Sequence, residues 1–393
     1  MQKQQKKNNQ LALLGAAHSL NHSLFVIASP LLTLIMLNLD VTKFVIGTVS
    51  TIASFIYGVG SLIGGPLGDK IGEVKTITVC LTFSGLFTFI MLIAGATSSI
   101  YIYAFALISM AAWASLYHPT ANSLISKIFI GKVAETMGWH GVGGTLGTVL
   151  TPTVAWLIGA TFGWAWAFVT FGILSTLLAL LFLKSFRKTN RKNVNSGTII
   201  DALKIRELWI LLIFNVAIGL FMKGVELFFP TYLTDNRLIA PEWASVAYTL
   251  VLAVGVPAQW IGGKAADKIG SKKVLIATSA GVCMSLLSLL LFPIYIVGIA
   301  LFILLYGLSF YAHQPALNYL TGLLSPQEQR GAVYGLFFFT SFGVGSISQS
   351  IAGYIGDVYG LDAAFYLLTI FAFAALLLSL KLPEKRENHQ RII

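Results

Sequence analysis

Charged side chains are scarce in this chain. They make up 10% of 393 residues, against roughly 25% in ordinary soluble domains. Hydrophobic residues make up 56%, and the mean hydropathy is +0.81. A soluble fold has no way to hide that much apolar surface, so an integral membrane protein is expected. Cysteine is nearly absent: Cys80 and Cys283 both sit in apolar segments, which excludes a disulfide framework and any cysteine-based metal spacing. There is no phosphate-binding loop, no His-Glu-x-x-His and no nucleophile elbow, so the chain reads as no enzyme, with no cofactor. Acidic residues are fewer than basic ones, 15 against 26, for a net charge of +11. That excess would suit nucleic acid, but the basic residues fall in alternate loops and tails. The expected partner is therefore the lipid bilayer and not nucleic acid.

What is present in abundance is apolar runs of about 20 residues, the length that crosses a bilayer as a helix. The first half offers Leu11–Asn38, Phe44–Gly68, Val74–Ala96, Ile100–Ile125, Val133–Ala160 and Trp164–Leu183. The second offers Leu208–Thr234, Trp243–Ala266, Val274–Pro293, Ile294–Leu324, Gly331–Val358 and Leu361–Leu382. The ninth and tenth runs are parted only by Phe292 to Tyr295. The first run is too long for a signal peptide and lacks a small-residue cleavage pattern, so it is expected to be retained. Residues 184–206 carry seven basic side chains among Asn, Ser and Gly, and read as a linker between bundles at 1–183 and 207–393. Its end, from Thr198, suits a short surface helix; a disordered spacer is the alternative. All but Lys43, Lys223 and Arg237 of the 26 basic residues fall on one side of this layout. Both termini are therefore expected in the cytoplasm of a multi-pass cell-membrane protein.

Polar residues inside apolar spans are functional candidates, because burial without a partner costs a few kcal/mol. Five of the six histidines, His18, His22, His118, His140 and His313, fall there. They suit a wet central cavity; the plainer alternative is hydrogen bonding between helices. His18, Asn21 and His22 share one helix face, where Asn21 is placed to orient a ring. His140 stands in the run Gly138 to Gly147, near the cytoplasmic end, and suits a gate; the glycines there suit close packing. Lys223 and Glu226 are the only formally charged side chains at depth, and their i, i+3 spacing lets them pair. A carboxyl set between an ammonium and an apolar wall can carry one proton per cycle; the alternative is a permanent ion pair. Tyr117, Tyr311, Tyr306, Trp113 and Trp139 are candidates for an aromatic cavity wall. Without Asp or Cys among the histidines, no metal site is expected.

Two stretches repeat. Gly65-Pro66-Leu67-Gly68-Asp69-Lys70-Ile71-Gly72-Glu73-Val74-Lys75 is matched by Gly263-Lys264-Ala265-Ala266-Asp267-Lys268-Ile269-Gly270-Ser271-Lys272-Lys273. Ser115-Leu116-Tyr117-His118-Pro119 in the fourth run is echoed by Ser309-Phe310-Tyr311-Ala312-His313-Gln314-Pro315 in the tenth. One half thus repeats the other. The first pattern resembles the Gly-x-x-x-Asp-(Arg/Lys)-x-Gly-x-(Arg/Lys)-(Arg/Lys) loop of major facilitator superfamily transporters, with Val74 where a basic residue is usual. His18-x-x-Asn21, Tyr117-His118-Pro119 and the Gly-rich fifth span are similar to the fosmidomycin-resistance type of drug-efflux transporter within it. That group tends to carry an acid after each motif, where this chain has His22 and Thr120.

The resemblance implies an all-α membrane protein, with twelve transmembrane helices in two pseudo-symmetric six-helix bundles and substrate between them at mid-depth. It implies that Asp69 latches onto the start of the eleventh helix, with Gly65, Gly72 and Lys75 shaping and anchoring the turn. By pseudo-symmetry Asp267, with Gly263 and Gly270, is expected against the fifth helix near Glu135 and Thr136. The function expected is alternating-access secondary transport by a monomer: proton-coupled export of a small organic molecule. His18, Asn21, His22, Tyr117, His118, Tyr311, His313 and Lys223 are expected at the substrate, Glu226 and His22 as proton carriers, and His140 at a gate. Import of a nutrient or organic anion, or substrate sensing without transport, are the rival expectations.

Overall fold

The structure is a computed structural model and describes residues 2–129, 133–186, 199–326 and 329–384. Among the described residues, twelve helices are long and apolar enough to span a bilayer. They are α1 (Lys7–Leu39), α2 (Lys43–Ile71), α3 (Glu73–Thr97), α4 (Ile100–Ile128), α5 (Thr136–Phe162) and α6 (Trp164–Ser185). In the second half they are α7 (Arg206–Arg237), α8 (Pro241–Ile269), α9 (Ser271–Leu291), α10 (Tyr295–Leu324), α11 (Gly331–Tyr359) and α12 (Leu361–Leu380). The break between α9 and α10 falls where Phe292 to Tyr295 placed it. The expected short helix before α7 spans Ile199–Leu203, while most of the linker lies outside the described residues. An even number of spans puts the two ends of the chain on one side, called here the terminal face, and the α1–α2 turn on the far face.

Packing repeats between halves. Helix α1 lies on α5 as α7 lies on α11; α2 on α4 as α8 on α10; α3 on α6 as α9 on α12. The halves then meet at two equivalent seams, α2 against α11 and α8 against α5, with α1 touching α7 between them. Large apolar side chains such as Leu157, Leu180, Ile370 and Phe373 stand exposed on the outside, the surface that lipid covers.

Proline accounts for three of the four breaks in the helices of the first half; the fourth, at Thr88–Phe89 of α3, has no proline beside it. Pro30 has no N–H for the Val26 carbonyl, and α1 is interrupted at Ile27; Pro119 does the same to Ser115 in α4, interrupted at Ser115–Leu116. Helix α5 breaks at Leu150, just before Pro152. In α11 the ladder changes instead to a π turn, Phe339–Gly343, an irregularity that often marks functional segments.

The seams are built from small hydroxyls. Thr48 Oγ1 meets Ser350 Oγ at 2.8 Å, Thr51 Oγ1 donates to the Ser346 carbonyl at 2.7 Å, and Thr153 Oγ1 meets Thr249 Oγ1 at 2.8 Å. Ser29 Oγ donates to the Leu227 carbonyl at 3.1 Å, and Gln259 Nε2 to Thr145 Oγ1 at 3.0 Å. Each such bond contributes only about 1 kcal/mol net, so the halves adhere without being locked.

Candidate functional site

Where α1 and α2 of one half face α7, α8 and α11 of the other, a cavity of about 50 Å³ remains. Its lining includes Ser29, Ser50, Ser54, Lys223, Glu226, Tyr248 and Gln349. That space holds a few waters, whereas pockets for organic ligands run to roughly 300 Å³ or more. The halves are therefore closed around the cavity in this conformation.

Lys223 and Glu226 sit near the middle of their 32-residue helix, not near its end. Lys223 Nζ donates to Glu226 Oε2 at 2.7 Å, as the i, i+3 spacing predicted. The pair is lopsided: the Lys223 side chain is 5% exposed and that of Glu226 34%. Lys223 Nζ also lies 4.1 Å from the centre of the Phe342 ring on α11. The ammonium is thus fixed by a carboxylate and a ring face, while the carboxylate retains an edge toward the cavity.

Four of the histidines gather in the first half, on the terminal-face side of that cavity. His18 and His22, one turn apart on α1, approach Nε2 to Nε2 at 2.9 Å. His18 Nδ1 donates to the His140 carbonyl at 2.9 Å. Tyr117 Oη donates to the Leu14 carbonyl at 2.7 Å, which spends its only hydrogen, so His140 Nε2–H donates to Tyr117 Oη at 3.0 Å. His118 completes the group. Its ring centre lies 4.9 Å from that of His18 and 5.0 Å from that of His22, and it stacks on Phe338 of α11 at 5.1 Å. Gly144 makes room for this: a Cβ there would overlap the His18 ring. One ring nitrogen from each of His18, His22 and His118 lies within 4.8 Å of the others, so the three side chains converge on one point.

Other expected site residues are dispersed. His313 does not join the cluster; it is buried in the second half, bonded through Nδ1 to the Phe310 carbonyl, beside a cavity of about 10 Å³ lined by Ser279 and Ser309. Asn21 bonds no imidazole among the described residues; its amide donates to the Ala114 carbonyl at 2.8 Å and accepts from Tyr57 Oη at 3.1 Å, so the ring it holds is a tyrosine's. Tyr117 and Tyr311 share no cavity: Tyr117 lies within the histidine cluster, and Tyr311 packs edge-on to Phe310 in the other half. Trp139 is 60% exposed, Trp113 stacks on Phe83, and Tyr306 is buried between Phe302 and Phe310.

At the terminal face the two repeated turns have the same shape. Gly72 has φ +97° and Gly270 φ +88°, values that L side chains resist. Gly65 lies against Pro119 and Gly263 against Pro315. The expected partner of Asp69, the start of α11, begins beside Arg330, whose side chain lies outside the described residues; among those described, a contact with α4 is present. The Asp69 carboxylate is 3.3 Å from Lys127 Nζ at the end of α4, and Lys127 also pairs with the buried Glu73. Lys75 is exposed. Asp267 is exposed as well, with no ion pair among the described residues; the Glu135 side chain lies outside them.

The far face carries a contact that sequence reading missed. Lys43 Nζ, at the start of α2, is 3.0 Å from Asp235 at the end of α7. The backbone N–H groups of Lys43 and Phe44 donate to Asp357 of α11 at 3.0 and 2.7 Å. The available signal was Lys43 itself, which with Arg237 is one of two cations on a face otherwise poor in basic residues.

Known proteins fit this architecture. The E. coli K12 fosmidomycin resistance protein is 28% identical over 327 residues, covering 79% of this chain and 77% of that protein. The Bacillus subtilis hexuronate transporter is 24% identical over 93% of this chain and 92% of its own. A solved bacterial homologue of the human lysosomal transporter Spinster, inward-facing and unoccupied, shares the fold with a TM-score of 0.77 at 15% identity, covering 96% of this chain and 98% of that one. The model of the Major Facilitator Superfamily matches residues 11–350. With twelve spans, two repeated halves and that match over most of its length, this chain belongs to the Major Facilitator Superfamily and is a multi-pass membrane transporter, not an enzyme.

Proposed function

We propose that the protein exports a small organic solute across the cell membrane in exchange for protons. Residues 1–183 and 207–393 rock as two bodies about the central cavity, and both termini face the cytoplasm. The observation that carries the reading is the Lys223–Glu226 pair: a 2.7 Å ion pair at mid-helix, half of it open to the cavity between the halves. A fixed charge at that depth costs about 2.5–3.5 kcal/mol on insertion scales. Protonating Glu226 when the cavity faces one side, and releasing the proton when it faces the other, ties the seam movement to a proton gradient. Similarity to the fosmidomycin resistance protein supports export. The basic residues on the terminal face support cytoplasmic termini.

Import of an organic anion is the second reading. It is favoured by Lys223, which offers an ammonium to a carboxylate once Glu226 is protonated, and by similarity to the hexuronate transporter. Flux measured in proteoliposomes separates the two. Export predicts that an inward proton gradient drives solute out of the compartment that the termini face. Import predicts that protons and solute move in the same direction. Flux indifferent to a pH gradient would remove the coupling.

A further inference from the structure

We propose that His18, His22 and His118 form a binding site for a divalent late first-row transition-metal ion of the Zn²⁺ or Co²⁺ class, separate from the cavity at Lys223 and Glu226. Two ligands one turn apart on α1 and a third on the neighbouring α4 bring three imidazole nitrogens within 4.8 Å of one another. Nitrogens bound tetrahedrally at 2.0–2.1 Å stand about 3.3 Å apart. The His18–His22 separation of 2.9 Å is a few tenths short of that, and rotation of the His118 ring closes the rest.

Two details point to an ion and not to packing alone. First, the His140 carbonyl can only accept, so His18 Nδ1 carries the hydrogen and His18 Nε2 presents a lone pair to the group. A ligating histidine anchored to a backbone carbonyl through its other nitrogen is the usual support of a metal-bound imidazole. Second, His118 is 6% exposed, and its Nε2 has no hydrogen-bond partner among the described residues. A buried polar atom left this way is unfavourable by a few kcal/mol, and a cation within reach of its lone pair removes the penalty.

The ligand set fixes the class of ion. Three neutral imidazoles suit Zn²⁺, Co²⁺ or Ni²⁺, while Mg²⁺ and Ca²⁺ select oxygen donors. On binding, the hydrogen now shared between the two Nε2 atoms moves to His22 Nδ1, so the three rings stay neutral and the ion carries the charge. Three protein ligands leave a fourth position for water.

The test uses full-length protein in detergent with any purification tag removed, and it reads binding, so its result is independent of whether the transport reading holds. Addition of Co²⁺ should give one ion per chain, with the intense visible bands of four-coordinate cobalt. Zn²⁺ should abolish those bands and Mg²⁺ should not. His22→Gln and His118→Gln should each weaken Co²⁺ binding at least tenfold. X-ray absorption on the zinc-loaded wild type should resolve three imidazole shells, which keeps the test decisive if either variant misfolds. An oxygen-only shell, no cobalt retained by folded wild-type protein, or undiminished binding in both variants would overturn the proposal.

Discussion

The Phe44 N–H donates to Asp357 Oδ2 at 2.7 Å, so the first turn of α2 is capped by a carboxylate from the opposite half of the molecule. An acid at a helix N-terminus contributes about 0.5–2 kcal/mol. That contribution is present only while the far face is closed.

Asp357→Ala should therefore shift the protein toward far-face-open forms by roughly 2- to 30-fold, the range that energy spans. The measurement is alkylation of Ser50→Cys, a cavity-lining position, by a water-soluble thiol reagent. The native Cys80 and Cys283 are buried and should contribute little background. An unchanged alkylation rate would remove the cap from the closing mechanism.

Glu226→Gln should abolish transport driven by a pH gradient while leaving gradient-free solute exchange. Flux in proteoliposomes checks both. Coupling that survives in the variant takes Glu226 out of the proton path.

The same pair predicts an asymmetry in stability. Glu226→Gln strands an ammonium that is 5% exposed, while Lys223→Gln leaves a carboxylate that is 34% exposed and reaches water. The first should lower the melting temperature more than the second, because an uncompensated buried charge is the costlier remnant. Equal shifts would mean that the cavity solvates both groups alike.

At the terminal face, Lys127→Met removes the ammonium that serves two carboxylates, one of them the buried Glu73. We expect a loss of about 2–4 kcal/mol, near the range for breaking a buried pair, read as a fall in thermal stability. Asp69→Asn disturbs a half-exposed contact and should cost under about 1 kcal/mol. Its effect should appear as slower turnover with solute affinity kept.

How much of this was legible in the chain depends on distance along it. The spans were readable because twenty apolar residues leave a membrane helix no alternative. The turns were readable because Gly72 and Gly270 sit in a repeated motif and need positive φ. The Lys223–Glu226 bond follows from i, i+3 spacing alone. The histidine cluster was only half visible. His18 and His22 share a face by periodicity, but His140 reaches His18 from 122 positions away, through a notch that only the finished packing of α1 on α5 reveals. His313 was misplaced because sequence repetition suggested a shared site, whereas duplication puts the repeated residue in the other half. Asp357 gave no signal, since a carboxylate 313 positions from Phe44 has no local reason to be a cap.

Two hydroxyls along the α2–α11 seam have a second bonding option. Thr48 Oγ1 meets Ser350 Oγ across the seam and also donates to its own helix's Phe44 carbonyl at 2.8 Å; Ser346 Oγ reaches Thr51 across the seam and also its own Gly343 carbonyl at 2.6 Å. When the surfaces part, the Thr51 hydroxyl loses the Ser346 carbonyl to which it donates across the seam, while these two oxygens fall back on partners they already hold. Such a contact works like a hook-and-loop fastener, peeling and re-closing at nearly constant free energy. One elementary charge crossing 100 mV releases about 2.3 kcal/mol, enough to bias a joint of that kind in either direction.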